Sequence, residues 1–256
     1  MNTVRIDPID VGELLDALSD FLACGKSHVV HFIPAHPTVL ARRDPMYREV
    51  LNRGRLNLPD GASVAWVCRW HGSRTRRLTG SDAMRVVTGW GMSSGLRHYL
   101  FGGTPETLIA LRTKLESARP GIAIVGAESP PFHELGDDEI RRAVGRMHAA
   151  RAQAVWLGLG TPKQDLVADR LQRLKAAPVI LCVGAAFDFI SGSVPRSPRW
   201  LNTVGLEWAY RLKTDPRRLW RRYVLGNPRF VAGVLFDELR RATARSGSTG
   251  RPPCGS

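Results

Sequence analysis

The chain has 256 residues, 43% hydrophobic and 23% charged, which excludes wholesale disorder and allows a full core without disulfide or metal staples. Its formal net charge is +14, and this points to an anionic partner. The excess is lopsided: residues 196–256 hold thirteen Lys+Arg against four Asp+Glu, a net +9, and the first 195 residues carry the remaining +5.

In chain order, Leu14, Leu15, Leu18, Phe21 and Leu22 recur at helical spacing, with Gly25 as the stop. His28–Ile33 reads as a strand closed by Pro34. Leu58-Pro59-Asp60-Gly61 reads as a turn that opens a helix over Ala62–Trp70, and a further helix is expected near Ser81–Val87. From there strands and helices alternate. The expected strands are Arg97–Phe101, Ile122–Val125, Ala154–Leu157 and Val179–Val183; the helices are Glu106–Leu115, Asp138–Ala149 and one ending at Lys175. Apolar runs without alternation, separated by helices, are what a parallel sheet covered on both faces requires. The fold class expected is α/β, Rossmann-like, over residues 1–195.

From Pro198 the pattern is helical only. Trp200, Val204, Trp208 and Leu212 form one stripe, and Leu219, Trp220, Tyr223 and Val224 a second, beside Arg217, Arg218, Arg221 and Arg222. Phe230, Val234 and Leu235 begin a third short helix. Residues 196–245 therefore read as a basic helical appendage, and residues 246–256, rich in Gly, Ser and Pro, as a disordered tail. Four scattered cysteines, Cys24, Cys68, Cys182 and Cys254, lack any C-x-x-C spacing, so neither a zinc ribbon nor a disulfide framework is expected. The first residues lack an apolar signal region, and no apolar run reaches the ~18–20 residues that cross a bilayer. The expected location is cytoplasmic.

Ligands of such a sheet bind beyond the carboxyl ends of its strands. Three glycine-containing loops fall there: Gly102-Gly103, Gly158-Leu159-Gly160 and Gly184-Ala185-Ala186. Each can bring backbone N–H groups to a phosphate at a helix N-terminus, or simply make the turn. Asp60 in Pro-Asp-Gly is a favoured turn residue as well as a candidate acid or base. Asp188 stands between Phe187 and Phe189, where a carboxylate needs a partner or a task. Gln164, after Thr161-Pro162-Lys163, either recognises a base or caps a helix. No Walker motif, no full G-x-G-x-x-G and no Asp-x-Asp metal pair is present.

Taken together and in order, these pieces resemble the WecG/TagA/CpsF glycosyltransferase family, glycosyltransferase family 26. The matching segments are Leu58-Pro59-Asp60-Gly61, Arg77-x-Thr79-Gly80-x-Asp82, Gly158 to Gln164, Val183 to Gly192, Arg196-Ser197-Pro198-x-Trp200, and Gly205 to Leu212 followed by Pro216 to Tyr223. The resemblance implies an inverting transferase that takes a hexose or N-acetylhexosamine-type sugar from a UDP-sugar. The implied acceptor is a sugar on undecaprenyl diphosphate at the inner face of the cell membrane, in cell-surface polysaccharide synthesis. It also implies a Rossmann-like domain with a helical appendage, no metal and no other cofactor, and compatibility with self-association. By the same resemblance Asp60 is the general base, and Gln164 and Asp188 contact the nucleotide. Arg211, Arg218 and Arg221 would meet the diphosphate, a task suited to guanidinium forks when no metal is at hand. Arg77, Lys163, Phe187 and Arg196 lie within matched motifs and join the glycines as expected substrate-binding residues.

One departure concerns the donor. Members carry Thr-x-Asn where this chain has His31-Phe32-Ile33, so the implied N-acetylmannosamine-type donor stands beside its uronic acid or a glucose-type sugar. The tryptophans and arginines of the appendage also suit an anionic membrane surface. Two other readings fit the charge: a basic nucleic-acid-binding protein, though no recognition motif is present and no nucleic acid is expected, and an inactive nucleotide-sugar-binding module.

Overall fold

A computed structural model describes residues 4–74, 77–194 and 228–236. Its frame is a six-stranded sheet in the order β2-β1-β6-β5-β3-β4, parallel at every pairing. The strands are β1 (His28–Ile33), β2 (Leu56–Pro59), β3 (His98–Gly102), β4 (Ile124–Glu128), β5 (Ala154–Gly158) and β6 (Val179–Cys182). The helices are α1 (Val11–Ala23), α2 (Ala35–Arg43), α3 (Pro45–Arg53), α4 (Ala62–Trp70), α5 (Gly80–Trp90), α6 (Pro105–Ala118), α7 (Asp137–Ala149), α8 (Lys163–Arg173) and α9 (Ala186–Ser191). Residues 228–236 are also helical.

Helices cover both faces, which is why the central strands read as unbroken apolar runs. On one face α1, α5, α6 and α9 bring Leu14, Met84, Leu111 and Phe187 onto Leu100, Trp156 and Leu181. On the other, α7 and α8 bring Ile140, Val144, Ala168 and Leu171 onto Phe101, Val155, Leu157 and Ile180. Each fully buried side chain of this size contributes about 1.5–3 kcal/mol. The Rossmann-like architecture expected from the sequence is the one observed.

Several local expectations change. Leu58 and Pro59, expected in the turn Leu58–Gly61, instead end a strand over Leu56–Pro59, pairing Leu58 with Phe32 and Pro59 with Ile33. A proline is accepted there because it ends a strand at the sheet's edge. The stretch between Pro34 and Leu56, without an expected element, forms α2 and α3. Pro37 falls in the first turn of α2, where its missing N–H has no helical partner to lose. Asp44 caps α3, its carboxylate accepting from Tyr47 N–H at 3.0 Å, with Pro45 at the first helical position. Strand β4 starts two residues later than expected, and the loop after β6 runs into the short helix α9.

The core holds one histidine with a consequence for stability. Trp156 donates its indole N–H to His98 Nδ1 at 3.1 Å, which fixes a neutral ring with its proton on Nε2. Burial, and then the Arg119 charge, depress the His98 pKa from 6.5 to about 4. The unfolded chain takes up a proton on this ring below pH 6.5, whereas the folded chain does not until about pH 4. Stability is therefore expected to fall as pH drops through that window and to level off below it. The loss reaches about 3 kcal/mol at most. Urea denaturation of the parent and of His98→Gln across this range checks it, since the variant should lose this part of the slope.

Candidate functional site

The crossovers place the site. Strand β3 leads into α6 on one face of the sheet, while its neighbour β5 leads into α8 on the other. Where neighbouring strands send their chains to opposite faces, a crevice opens beyond their carboxyl ends. The glycine loops meet there. Gly103 donates its N–H to Gly158 C=O at 3.1 Å, and a Cβ on Gly102 (φ +129°) would stand 2.6 Å from the Gly158 backbone. Phe187, buried, lies against Gly158 so closely that a Cβ there would come within 2.5 Å of its ring. Gly102, Gly103, Gly158 and Phe187 are thus brought together, and close packing of strand ends demands the glycines. Gly160 differs: its φ is +73° and a Cβ would meet nothing within 4 Å, so its side faces open space.

Gln164 N–H donates to Gly160 C=O at 2.8 Å as α8 begins. The Gln164 side chain is 4% exposed, and its Oε1 has no hydrogen-bond partner. That oxygen lies 3.3 Å from where a Cβ of Gly184 (φ +54°) would be. A buried acceptor left unmet costs about 1–3 kcal/mol, and a ligand N–H is the group that would relieve it. Lys163, by contrast, directs its ammonium at the carbonyls of Pro131, Phe132 and His133, at 2.9, 3.2 and 2.7 Å. Partial burial lowers its pKa from the ordinary value. Its visible task is to pin the loop that precedes α7.

Asp60 directly follows β2, half-buried, with its N–H donating to Ile33 C=O at 3.2 Å. The Arg77 guanidinium Nε donates to the Asp60 carbonyl, so these two expected residues meet through the backbone. Gly61 sits against Pro34 at the end of β1. Gly80 opens α5 hard against Val183, since a Cβ there would lie 2.9 Å from the Val183 carbonyl. The Asp60–Arg77 pair and the Gly184 loop therefore share the carboxyl edge of the sheet. Asp188 lies in the first turn of α9, half-buried, and its carbonyl accepts from Gly192 N–H (3.1 Å) and Val194 N–H (3.2 Å). Arg196, Arg211, Arg218 and Arg221 lie outside the described residues.

Beneath Gln164 is a cluster that sequence reasoning missed. His31 Nδ1 stands 2.9 Å from Asp165 Oδ1, Tyr47 donates its hydroxyl to Asp165 Oδ2 at 2.6 Å, and Cys182 is adjacent. The ligand atoms of His31, Asp165 and Cys182 lie within 4.8 Å of one another, all buried, but Asp165 has a protein partner on each oxygen. The signal available in the sequence was an acid on the inward face of α8, beside Val167, Ala168 and Leu171. Elsewhere, a cavity of about 180 Å³ near the end of β4 is lined by Phe101, Glu128, Leu135, Arg142 and Arg146 among others. No expected site residue borders it.

A parallel doubly wound sheet whose glycine loops, an aspartate turn and an orphaned glutamine gather at the carboxyl edge defines a ligand-binding α/β protein. Its family is shown by comparison: residues 1–244 match the model of the glycosyl transferase WecG/TagA/CpsF family, and the chain belongs to that family of glycosyltransferases. It is similar to an N-acetylglucosaminyldiphosphoundecaprenol N-acetyl-beta-D-mannosaminyltransferase of Bacillus subtilis (strain 168), 30% identical over 205 residues, which are 79% of this chain and 77% of the relative. A transferase of the same name from Bacillus spizizenii (strain ATCC 23059 / NRRL B-14472 / W23) is 29% identical over 212 residues, 82% of this chain and 79% of the relative.

Proposed function

We propose that this chain is an inverting glycosyltransferase that moves an N-acetylmannosamine-type sugar from its UDP derivative to a sugar carried on undecaprenyl diphosphate, working at the inner face of the cell membrane. The observation that carries the acceptor and the sugar is the similarity to the two Bacillus transferases over more than three quarters of the chain. The nucleotide is argued from the site. The unmet Gln164 Oε1 suits the N–H of a uracil ring, and the open side of Gly160 leaves room for a diphosphate beside the start of α8.

In the reaction the acceptor hydroxyl attacks the anomeric carbon from the face opposite UDP. Asp60 takes the hydroxyl proton as the new bond forms, and the bond to UDP breaks with its electrons leaving on the diphosphate. Arg211, Arg218 and Arg221 are the groups assigned to stabilise that charge. Among the described residues no helix is long and apolar enough to cross a membrane, so the proposed association is peripheral.

The test is a panel of UDP-sugars offered with undecaprenyl-diphosphate-linked N-acetylglucosamine, scored by UDP release. Release with UDP-N-acetylmannosamine is expected. No release with any donor would overturn the reading and leave a binding module.

A further inference from the structure

Helix α4 starts two residues after Asp60 and has a clear inner side: Val64 and Ala65 are buried, and Val67 and Cys68 pack with Val39 and Phe230. Its outer side carries Ser63, Trp66, Arg69 and Trp70, all exposed. Trp66 is 53% and Trp70 68% exposed, and their rings touch each other at a centroid distance of 5.2 Å. A single exposed apolar residue needs no explanation, but two adjoining tryptophans turned to water do. The helical segment 228–236 packs on α4 through Phe230 and Val234, and leaves Val231 and Leu235 more than half exposed. Of the twelve exposed large apolar side chains among the described residues, five belong to these two packed segments.

The sequence that flanks them is rich in arginine. Between Asp60 and Asp82 the sequence has no acidic residue and four arginines; between Asp215 and Asp237 it has none and five. Arg69, Arg74 and Arg229 are exposed on or next to the two segments. We propose that the outer side of α4, with the adjoining segment 228–236, is a docking surface for an anionic lipid bilayer, anchored by Trp66 and Trp70. This deepens the reading of a lipid-linked acceptor and rests on it for its purpose.

Indole rings favour the headgroup level of a bilayer, and arginines near an anionic surface add about 1 kcal/mol each. Aliphatic Val231 and Leu235 match acyl chains and offer nothing to bases or phosphates, which favours lipid over a nucleic acid. A second copy of the chain would set arginines against arginines. The geometry also serves the chemistry. At 1.5 Å per residue, Trp66 and Trp70 lie about 6 and 12 Å along α4 from its first residue. Docking on this side would therefore hold Asp60 close above the headgroups, where a sugar on a lipid diphosphate stands.

The test is flotation of the full chain with vesicles of phosphatidylcholine alone and of phosphatidylcholine mixed with phosphatidylglycerol. Binding is expected mainly to the mixed vesicles, with tryptophan fluorescence quenched by brominated acyl chains. Trp66→Ala/Trp70→Ala should lower the partition at least about tenfold, Trp66→Phe/Trp70→Phe should retain most of it, and Ile109→Ser, an exposed change on α6, should alter nothing. Equal partition of the double alanine variant and the parent would overturn the proposal. So would loss, in that variant, of binding to single-stranded nucleic acid or of a dimer seen by light scattering without vesicles. Tryptophan-dependent flotation without any sugar transfer would uphold the surface and sink the transferase reading; transfer with tryptophan-independent flotation would do the reverse.

Discussion

Replacing Asp60 by Asn is expected to lower the rate of sugar transfer by about 10²–10⁴-fold while leaving UDP affinity unchanged. Two of the bonds that hold the turn run through its backbone and survive the substitution. Asp60 N–H donates to the Ile33 carbonyl, and the Asp60 carbonyl accepts from Arg77. Neither bond involves the carboxylate, and Asn has nearly the same shape. What the substitution removes is the ability to take a proton as the acceptor oxygen attacks. A carboxylate is a weak base for a sugar hydroxyl, so its help is confined to the transition state, and its loss should appear in kcat. Steady-state transfer rates beside UDP titration calorimetry check both halves. Near-normal turnover would overturn the assignment of Asp60 as base, and lost UDP binding would instead make the turn part of the nucleotide site.

The elements legible in the sequence are those whose environment is uniform. Ala154–Leu157 and Val179–Cys182 are buried on both faces and read as plain apolar runs. Strand β2 is as buried but hides its character behind Asn57 and Pro59. The Asn57 amide is completely buried and donates to the carbonyls of Arg5 and Leu51. Its Oδ1, like Gln164 Oε1, is left without a partner, and a polar residue whose N–H groups are met by segments outside its own strand carries no local sign of burial. Helices α2 and α3 were hidden for a related reason, since each shows only three buried positions among prolines and arginines.

The site divides in the same way. The glycine loops announce themselves, yet Gly102 and Gly158 are demanded by contacts with each other and with Phe187, which no local pattern reveals. Gln164 could be found by motif, but its unmet oxygen could not. Lys163 stood in the expected motif and turned to loop carbonyls 30 to 32 residues earlier in the chain. His31 drew notice as a departure from the family pattern; its partner Asp165 is 134 residues away, a distance at which pairing cannot be read without a fold.

That partnership carries the largest expected effect on stability. Asp165→Ala should destabilise the fold by about 3–5 kcal/mol, because it strips partners from two buried groups at once and leaves a cavity. His31 is 1% exposed and Tyr47 3%, so water cannot replace the lost carboxylate. The cluster ties three elements: β1 through His31, α3 through Tyr47 and α8 through Asp165. Its space is also fixed, since a Cβ on Gly54 would stand 2.5 Å from the His31 ring. Asp165→Asn should cost less, because the amide oxygen can still accept from Tyr47 while its N–H₂ donates to Nδ1 of a His31 tautomer protonated on Nε2. Tyr47→Phe removes one bond only and should cost about 1–2 kcal/mol. Urea midpoints with an unchanged denaturant slope measure all three, and a loss below about 1 kcal/mol for Asp165→Ala would show that the cluster does not hold these elements together. The site should feel the change before the fold gives way. Asp165 is the residue after Gln164 on α8, so releasing it frees the turn that aims the unmet oxygen, and UDP affinity should fall in Asp165→Ala protein that is still folded.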